Sequence, residues 1–165
     1  EYIMCPANIS KEIEEKAYEI ALNTARKFNS IGLLAVELFL TSKDEVLINE
    51  VAPRPHNSGH HTIECCFTSQ FDQHIRSVLN LPLGNTDIKI PGIMVNLVGE
   101  NKVEGDVIYK NIEKIFNISG VSTHLYGKKK SRLNRKMGHI TIVHSEIEKA
   151  IQIGKEIKEL IKVTA

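Results

Sequence analysis

Two glutamates, Glu37 and Glu50, and the loop after the second one hold most of the side chains able to do chemistry in this chain. Glu37 lies in the apolar run Leu33 to Leu40 and Glu50 in Val46 to Val51, with Thr41-Ser42-Lys43-Asp44-Glu45 between them. Two β-branched-rich runs split by a short polar connection predict a hairpin. With the turn centred there, Glu37 falls opposite Glu50, and Phe39 opposite Ile48 lies on the same face. Like charges directly opposite each other destabilise a sheet, so the pairing calls for a cation between them. Hard carboxylate oxygens, with no Cys or His at transition-metal spacing, favour magnesium, with manganese possible. Asn49 belongs to the other face of a regular strand and reaches such a metal only through a twist or bulge. The bland alternative is a solvated strand face carrying two unremarkable glutamates.

The loop Pro53-Arg54-Pro55-His56-Asn57-Ser58-Gly59-His60-His61-Thr62 packs an Arg, three His, an Asn and two hydroxyls into ten residues. Prolines fix φ and a glycine relaxes it, so the loop is rigid and rich in anion and sugar partners. A second cluster, Lys128-Lys129-Lys130-Ser131-Arg132-Leu133-Asn134-Arg135-Lys136, is a candidate phosphate patch. It has no interleaved aromatics, which ranks nucleic acid below a small phosphorylated ligand.

The elements that must position these groups follow from periodicity. Ser10 is placed to cap a helix from about Lys11 to Phe28, with Ile13, Ala17, Ile20, Ala21, Thr24 and Phe28 at helical spacing. Ser69, with Asp72 three residues on, opens a second helix whose inner face would be Phe71, Ile75, Val78 and Leu79. Punctuation near Asn85–Pro91 predicts a boundary, giving domains of residues 1–85 and 92–165. Beyond it, Ile93 to Val98 reads as a strand, Val107 to Asn117 as a short helix, and Val121 to Tyr126 and Met137 to His144 as strands flanking the basic loop. Ser145 with Glu148 predicts a capping box for a last helix, Glu146 to Lys162. Glu1 to Pro6 shows no strand-opening signal.

The chain has 165 residues, 42% hydrophobic and 25% charged, as in an ordinary globular domain or two small ones. Net charge is +1, yet residues 1–100 hold 8 Lys+Arg against 13 Asp+Glu and residues 101–165 hold 13 against 7, so the basic half is the C-terminal one. No apolar run approaches a membrane span and no signal segment opens the chain, so no membrane partner and a cytoplasmic location are expected. Cys5, Cys65 and Cys66 are an odd number that fits a reducing compartment, the adjacent pair reading as small buried hydrophobes.

Glu37 within AVELF, the run Asn49 to His60 (NEVAPRPHNSGH), Thr68 to His74 (TSQFDQH), Leu81-Pro82-Leu83-Gly84, Tyr126-Gly127-Lys128 and Arg135 to His139 together resemble the 5-(carboxyamino)imidazole ribonucleotide synthase family of ATP-grasp enzymes. The resemblance covers most of the chain. It implies an α+β fold, the C-terminal lobe of an ATP-grasp domain (an antiparallel sheet with helices) followed by a small β-rich C-terminal domain. It also implies an ATP-dependent ligase that carboxylates aminoimidazole ribonucleotide with bicarbonate in purine biosynthesis, of which this stretch alone would be inactive. By the same resemblance Glu37 and Glu50 hold Mg2+ (Mn2+ possible) on ATP, with Asn49 beside the nucleotide. Arg54, His56 and Asn57 are then catalytic, Ser58, Gly59 and His60 line the substrate site, and Lys128 and Arg135 bind the ribonucleotide phosphate. Lys130-Ser131 and Leu133-Asn134 depart from the pairs the family carries in that basic loop. A homodimer is expected for the full-length protein. A formate-dependent glycinamide ribonucleotide transformylase-type enzyme and a non-catalytic anion-binding module are the alternatives.

Overall fold

A computed structural model of the protein describes residues 2–165. The elements in chain order are β1 (Tyr2–Cys5), α1 (Lys11–Lys27), β2 (Ala35–Leu40), β3 (Val46–Ala52), α2 (Thr62–Cys65), α3 (Gln70–Val78), β4 (Gly92–Val98), β5 (Gly105–Asp106), β6 (Ile108–Lys110), β7 (Val121–Leu125), β8 (Lys130–Ser131), β9 (Lys136–Val143), α4 (Ile147–Leu160) and β10 (Lys162–Thr164). They form an α+β fold of two compact units, one spanning Ala7–Asp87 and the other residues 2–6 with Ile88–Ala165.

In the first unit α1 begins where predicted. Ser10 Oγ accepts from the Ile13 amide at 3.3 Å, and Glu12 and Glu14 in the first turn and Arg26 and Lys27 in the last each complement the helix dipole. The hairpin β2–β3 is antiparallel. Thr41 organises its connection, its hydroxyl accepting from the Lys43 and Glu45 amides at 3.2 and 3.1 Å. Glu37 pairs with Glu50, as the spacing predicts, but the register shifts between Glu37 and Leu38. Leu38 therefore pairs with Ile48 and Phe39 with Leu47, not with Ile48. The residue left over in the ladder is Asn49, so β3 carries a one-residue bulge there.

Helix α3 is capped by Ser69, whose Oγ accepts from the Asp72 amide at 3.2 Å. Its orientation is the reverse of the expected one. Phe71, Ile75, Val78 and Leu79 are 38 to 62% exposed. The inward side is polar: Ser77 Oγ accepts from Gly32 N and His74 Nδ1 from Leu33 N, both at 3.0 Å, and Gln73 bonds both the amide and the carbonyl of Gly84. The backbone of the neighbouring loops needs hydrogen-bonding partners when covered, and only the polar face of α3 supplies them.

The second unit is built on an antiparallel sheet of order β1-β4-β9-β7, and its first strand is the Tyr2–Cys5 segment that gave no strand signal. Ile93, Val95 and Leu97 of β4 and Ile140 and Ile142 of β9 form a core with Ala150 and Ile157 of α4. Gly154 lets α4 close on the sheet, since a Cβ there would collide with Ile93 Cδ1. Three expectations fail here. Residues 107–117 form β6 and a 3-10 turn (Ile112–Ile115) in place of a helix, because Asn111 at φ 63° breaks the helical path. The start of α4 has no side-chain cap from Ser145; the His144 ring accepts from the Glu146 amide at 2.9 Å instead. Helix α4 stops at Leu160, and Lys162–Thr164 pairs with β6 as β10.

Candidate active site

The bulge in β3 decides the local geometry of the two carboxylates. Regular alternation would send Asn49 to the other face of the hairpin from Glu37 and Glu50. As the extra residue it turns back, and its Nδ2 donates to Glu37 Oε2 at 3.3 Å. His56, on the loop after β3, lies against the same pair: Nδ1 is 3.3 Å from Glu37 Oε1 and Nε2 is 3.3 Å from Glu50 Oε1. One ligand atom from each of Glu37, Glu50 and His56 falls within 4.8 Å of the other two. The side chain of Glu50 is 56% exposed and that of Glu37 34%, whereas His56 is 14% exposed. The carboxylates thus meet solvent from a half-buried imidazole floor. Two carboxylates and an amide in one cluster are oxygen donors of the kind magnesium and manganese take, and the imidazole is acceptable to manganese.

The loop is held by a residue outside it. Gln70, 7% exposed at the start of α3, accepts from the His56 amide at 2.9 Å and donates to the His56 carbonyl and to His60 Nδ1, both at 2.8 Å. His60 is thereby the tautomer with its proton on Nε2 when neutral, and its ring stacks on Phe71 at 5.5 Å. Asn57, Ser58 and Gly59 form a 3-10 turn. Ser58 Oγ lies 2.9 Å from His56 Nδ1, His61 Nδ1 2.8 Å from the Ser58 carbonyl, and Thr62 Oγ1 donates to the Gly59 carbonyl at 2.6 Å. A Cβ on Gly59 would stand 2.6 Å from Gln70 Oε1, so the turn and the glutamine touch. A pocket of about 290 Å³ lies between the start of β2 and this turn, lined by Leu34, Val36, His56, Ser58, Gly59 and His61 among others. Arg54 is exposed, with Nη1 donating to the Pro55 carbonyl at 3.1 Å.

Glu37, Asn49, Glu50 and the His56–His60 turn therefore gather in the unit Ala7–Asp87, whereas Lys128 and Arg135 belong to the other unit. The basic run there is not uniform. Lys130 is paired with Asp106 at 2.8 Å, which raises its pKa through that hydrogen bond and charge. Ser131 is fully buried, its hydroxyl donating to Asn101 Oδ1 at 3.2 Å. Lys128 donates to the Lys136 carbonyl at 2.7 Å and Arg135 to the Lys130 carbonyl at 2.9 Å. Burial, then the Arg135 charge, hold the Lys128 ammonium below the usual lysine range. Sequence reasoning missed Gln70 as the hub of the site. Its signal is weak, a glutamine just after an N-cap, because its burial depends on the loop folding back over it.

Comparison with known proteins agrees with this geometry. The family model described as ATP-grasp domain matches residues 1–71, and that described as Phosphoribosylaminoimidazole carboxylase C-terminal domain matches residues 92–153. The N5-carboxyaminoimidazole ribonucleotide synthase of Bacillus subtilis is 46% identical over 147 residues, 89% of this chain and 37% of that protein. The chain thus carries part of an ATP-grasp domain followed by a phosphoribosylaminoimidazole carboxylase C-terminal domain. The crystal structure of N5-carboxyaminoimidazole ribonucleotide synthetase from Thermotoga maritima matches with a TM-score of 0.92 and 46% identity, over 98% of this chain and 45% of that one. That of the Aspergillus clavatus synthase in complex with ADP and 5-aminoimidazole ribonucleotide matches with a TM-score of 0.85 and 35% identity, over 96% and 43%. The chain thus spans less than half the length of each of these relatives. The α+β architecture expected from the resemblance is the one observed.

Proposed function

We propose that the chain is the metal- and phosphate-binding part of an ATP-dependent ligase that carboxylates 5-aminoimidazole ribonucleotide with bicarbonate in purine biosynthesis. The single observation that carries this reading is the bulge that gathers Asn49 and Glu37 with Glu50 and His56 on one face of the hairpin. The family match supports it. In this reading Glu37 and Glu50 hold Mg2+, or Mn2+, on the phosphates of ATP, and Asn49 touches the nucleotide and orients Glu37. Such a metal, when bound, neutralises charge on a transferring phosphoryl group.

This chain's side chains contribute to the steps that follow. ATP phosphorylates bicarbonate, ADP leaves, and the exocyclic amine of the ribonucleotide attacks the carboxyl carbon as phosphate departs. Arg54 offers a planar fork to the bicarbonate or phosphoryl oxygens. His56 and Asn57 orient the reacting groups. Ser58, Gly59 and His60 line the ribonucleotide, and Lys128 and Arg135 take its phosphate. We place this activity in a longer, homodimeric cytoplasmic protein; Cys5, Cys65 and Cys66, in no disulfide with one another, suit that reducing compartment. Among the described residues no helix is long and apolar enough to cross a membrane.

The test is ADP release by the full-length protein with each substrate omitted in turn. The reading expects release to require both ribonucleotide and bicarbonate, and Arg54→Ala to lower kcat by about a hundredfold, the loss typical of removing one oxyanion donor. Release that needs formate and glycinamide ribonucleotide instead would assign the chain to the transformylase type, and no nucleotide turnover at all would leave an anion-binding module.

A further inference from the structure

We propose that Tyr126 is a positioning residue that holds the Lys128 ammonium for the ribonucleotide phosphate, and that buried His139 sets the Tyr126 ring for that task. The inference rests on the phosphate role given to Lys128 above.

Lysine is a point charge on a flexible four-carbon stem, and it directs a phosphate only if something fixes the stem. Lys128 follows Gly127, whose φ of 68° turns the chain and whose Cα has nothing within 4 Å of an added Cβ. Two contacts fix the Lys128 side chain: the amine donates to the Lys136 carbonyl at 2.7 Å, and it sits 5.4 Å from the centroid of the Tyr126 ring, within cation–π range. The Tyr126 ring is itself anchored. Its amide donates to the Met137 carbonyl at 3.0 Å, and its hydroxyl is 3.0 Å from His139 Nδ1.

His139 is the rigid end of this series. It is 3% exposed in β9, flanked in register by Asn96 of β4 and His124 of β7. Its ring stacks on His124 at 4.4 Å and an interplanar angle of 13°. Rigidity thus passes from the sheet through His139 and Tyr126 to Lys128. Burial and the Arg135 guanidinium disfavour the Lys128 cation in the free protein, so an arriving anion gains from relieving that penalty. A tyrosine that merely stabilised the β7–β9 pair would not need its ring face under the ammonium.

The experiment is steady-state kinetics on the full-length protein with the ribonucleotide varied, comparing Lys128→Ala, Tyr126→Ala, Tyr126→Phe and the double variant Tyr126→Ala/Lys128→Ala. Loss of Lys128 should raise KM for the ribonucleotide roughly tenfold or more, as for a hydrogen bond to a charged group. Tyr126→Ala should raise it about threefold, the size of an exposed cation–π contact, with KM for ATP unchanged. Tyr126→Phe, which keeps the ring and frees it from His139, should give a smaller rise. The double variant should match Lys128→Ala alone, because Tyr126 acts through that lysine. A rise from Tyr126→Ala that is as large in the Lys128→Ala background, or a fall in kcat with KM unchanged, would overturn the proposal. If Tyr126→Ala does not fold, the same comparison made with Tyr126→Phe decides it, and an unchanged KM overturns it. An unchanged KM in Lys128→Ala would show separately that the phosphate role itself is wrong.

Discussion

Asn49 Nδ2 lies 3.3 Å from Glu37 Oε2 across the hairpin, although alternation along a regular strand would point the two side chains to opposite faces. The register shift between Glu37 and Leu38 makes this possible, since it leaves Asn49 unpaired in the ladder and free to turn toward Glu37. The same shift keeps Glu37 opposite Glu50. An amide donor is thereby added to a pair of like charges, and His56 completes the cluster.

Replacing that amide with a carboxylate, Asn49→Asp, puts a third negative charge into the cluster. Without divalent cation the variant should be less stable than the parent by about 1 kcal/mol, the upper end of cross-strand charge effects. Mg2+ should then raise its melting temperature more than it raises the parent's. Thermal denaturation in chelator and in Mg2+ checks this; equal Mg2+ responses would mean that no cation binds there.

Gln70 carries the loop, so Gln70→Ala should cost more than an ordinary polar truncation. Three bonds to His56 and His60 are lost from a side chain that is 7% exposed. Leaving such groups unsatisfied costs on the order of 2–4 kcal/mol in total. Urea denaturation should show a lower midpoint, and a change within about 0.5 kcal/mol, the size of a surface substitution, would contradict the hub role.

A methyl group on Gly59 has no room. Gly59→Ala places a Cβ 2.6 Å from Gln70 Oε1 and 2.8 Å from its Cδ. The expected loss is about 1–3 kcal/mol, as for overpacking. Combined with Gln70→Ala, the clash disappears, so the two losses should fall well short of additive in the same denaturation series.

The stability contribution of Lys128 should depend on pH with a definite sign. Its pKa in the folded chain is depressed from the ordinary 10.5, first by burial and then by Arg135. Folding therefore carries a protonation penalty below the folded pKa that fades as pH rises toward the unfolded value. Relative to the parent, Lys128→Met should be more favourable at about pH 8 than at about pH 11. A stability difference that is flat or rising over that range contradicts the depression.

Much of this was readable in the sequence where a local rule governs. The hairpin, the two serine caps at Ser10 and Ser69, and the Glu37–Glu50 pairing follow from alternation and capping chemistry, which act within a few residues. The bulge did not, because one inserted residue leaves both strand patterns intact. The apolar stripe of α3 predicts an inward face, yet the backbone around Gly32, Leu33 and Gly84 takes the polar side. Ser145 and Glu148 satisfy the capping pattern, but His144 reaches the Glu146 amide instead. The contacts of Gln70 with His56 and of Tyr126 with His139 join residues 14 and 13 apart, and they form only once the elements fold.

The most direct measurement is calorimetric titration of MgATP into the full-length protein and its Glu50→Gln variant, followed by the ribonucleotide. The account predicts that the variant loses Mg2+-dependent nucleotide affinity by about tenfold or more, as for a charged ligand removed from its site, while still binding the ribonucleotide. Nucleotide binding with the same affinity and the same Mg2+ dependence in both proteins would contradict it and return Glu37 and Glu50 to a solvated strand face.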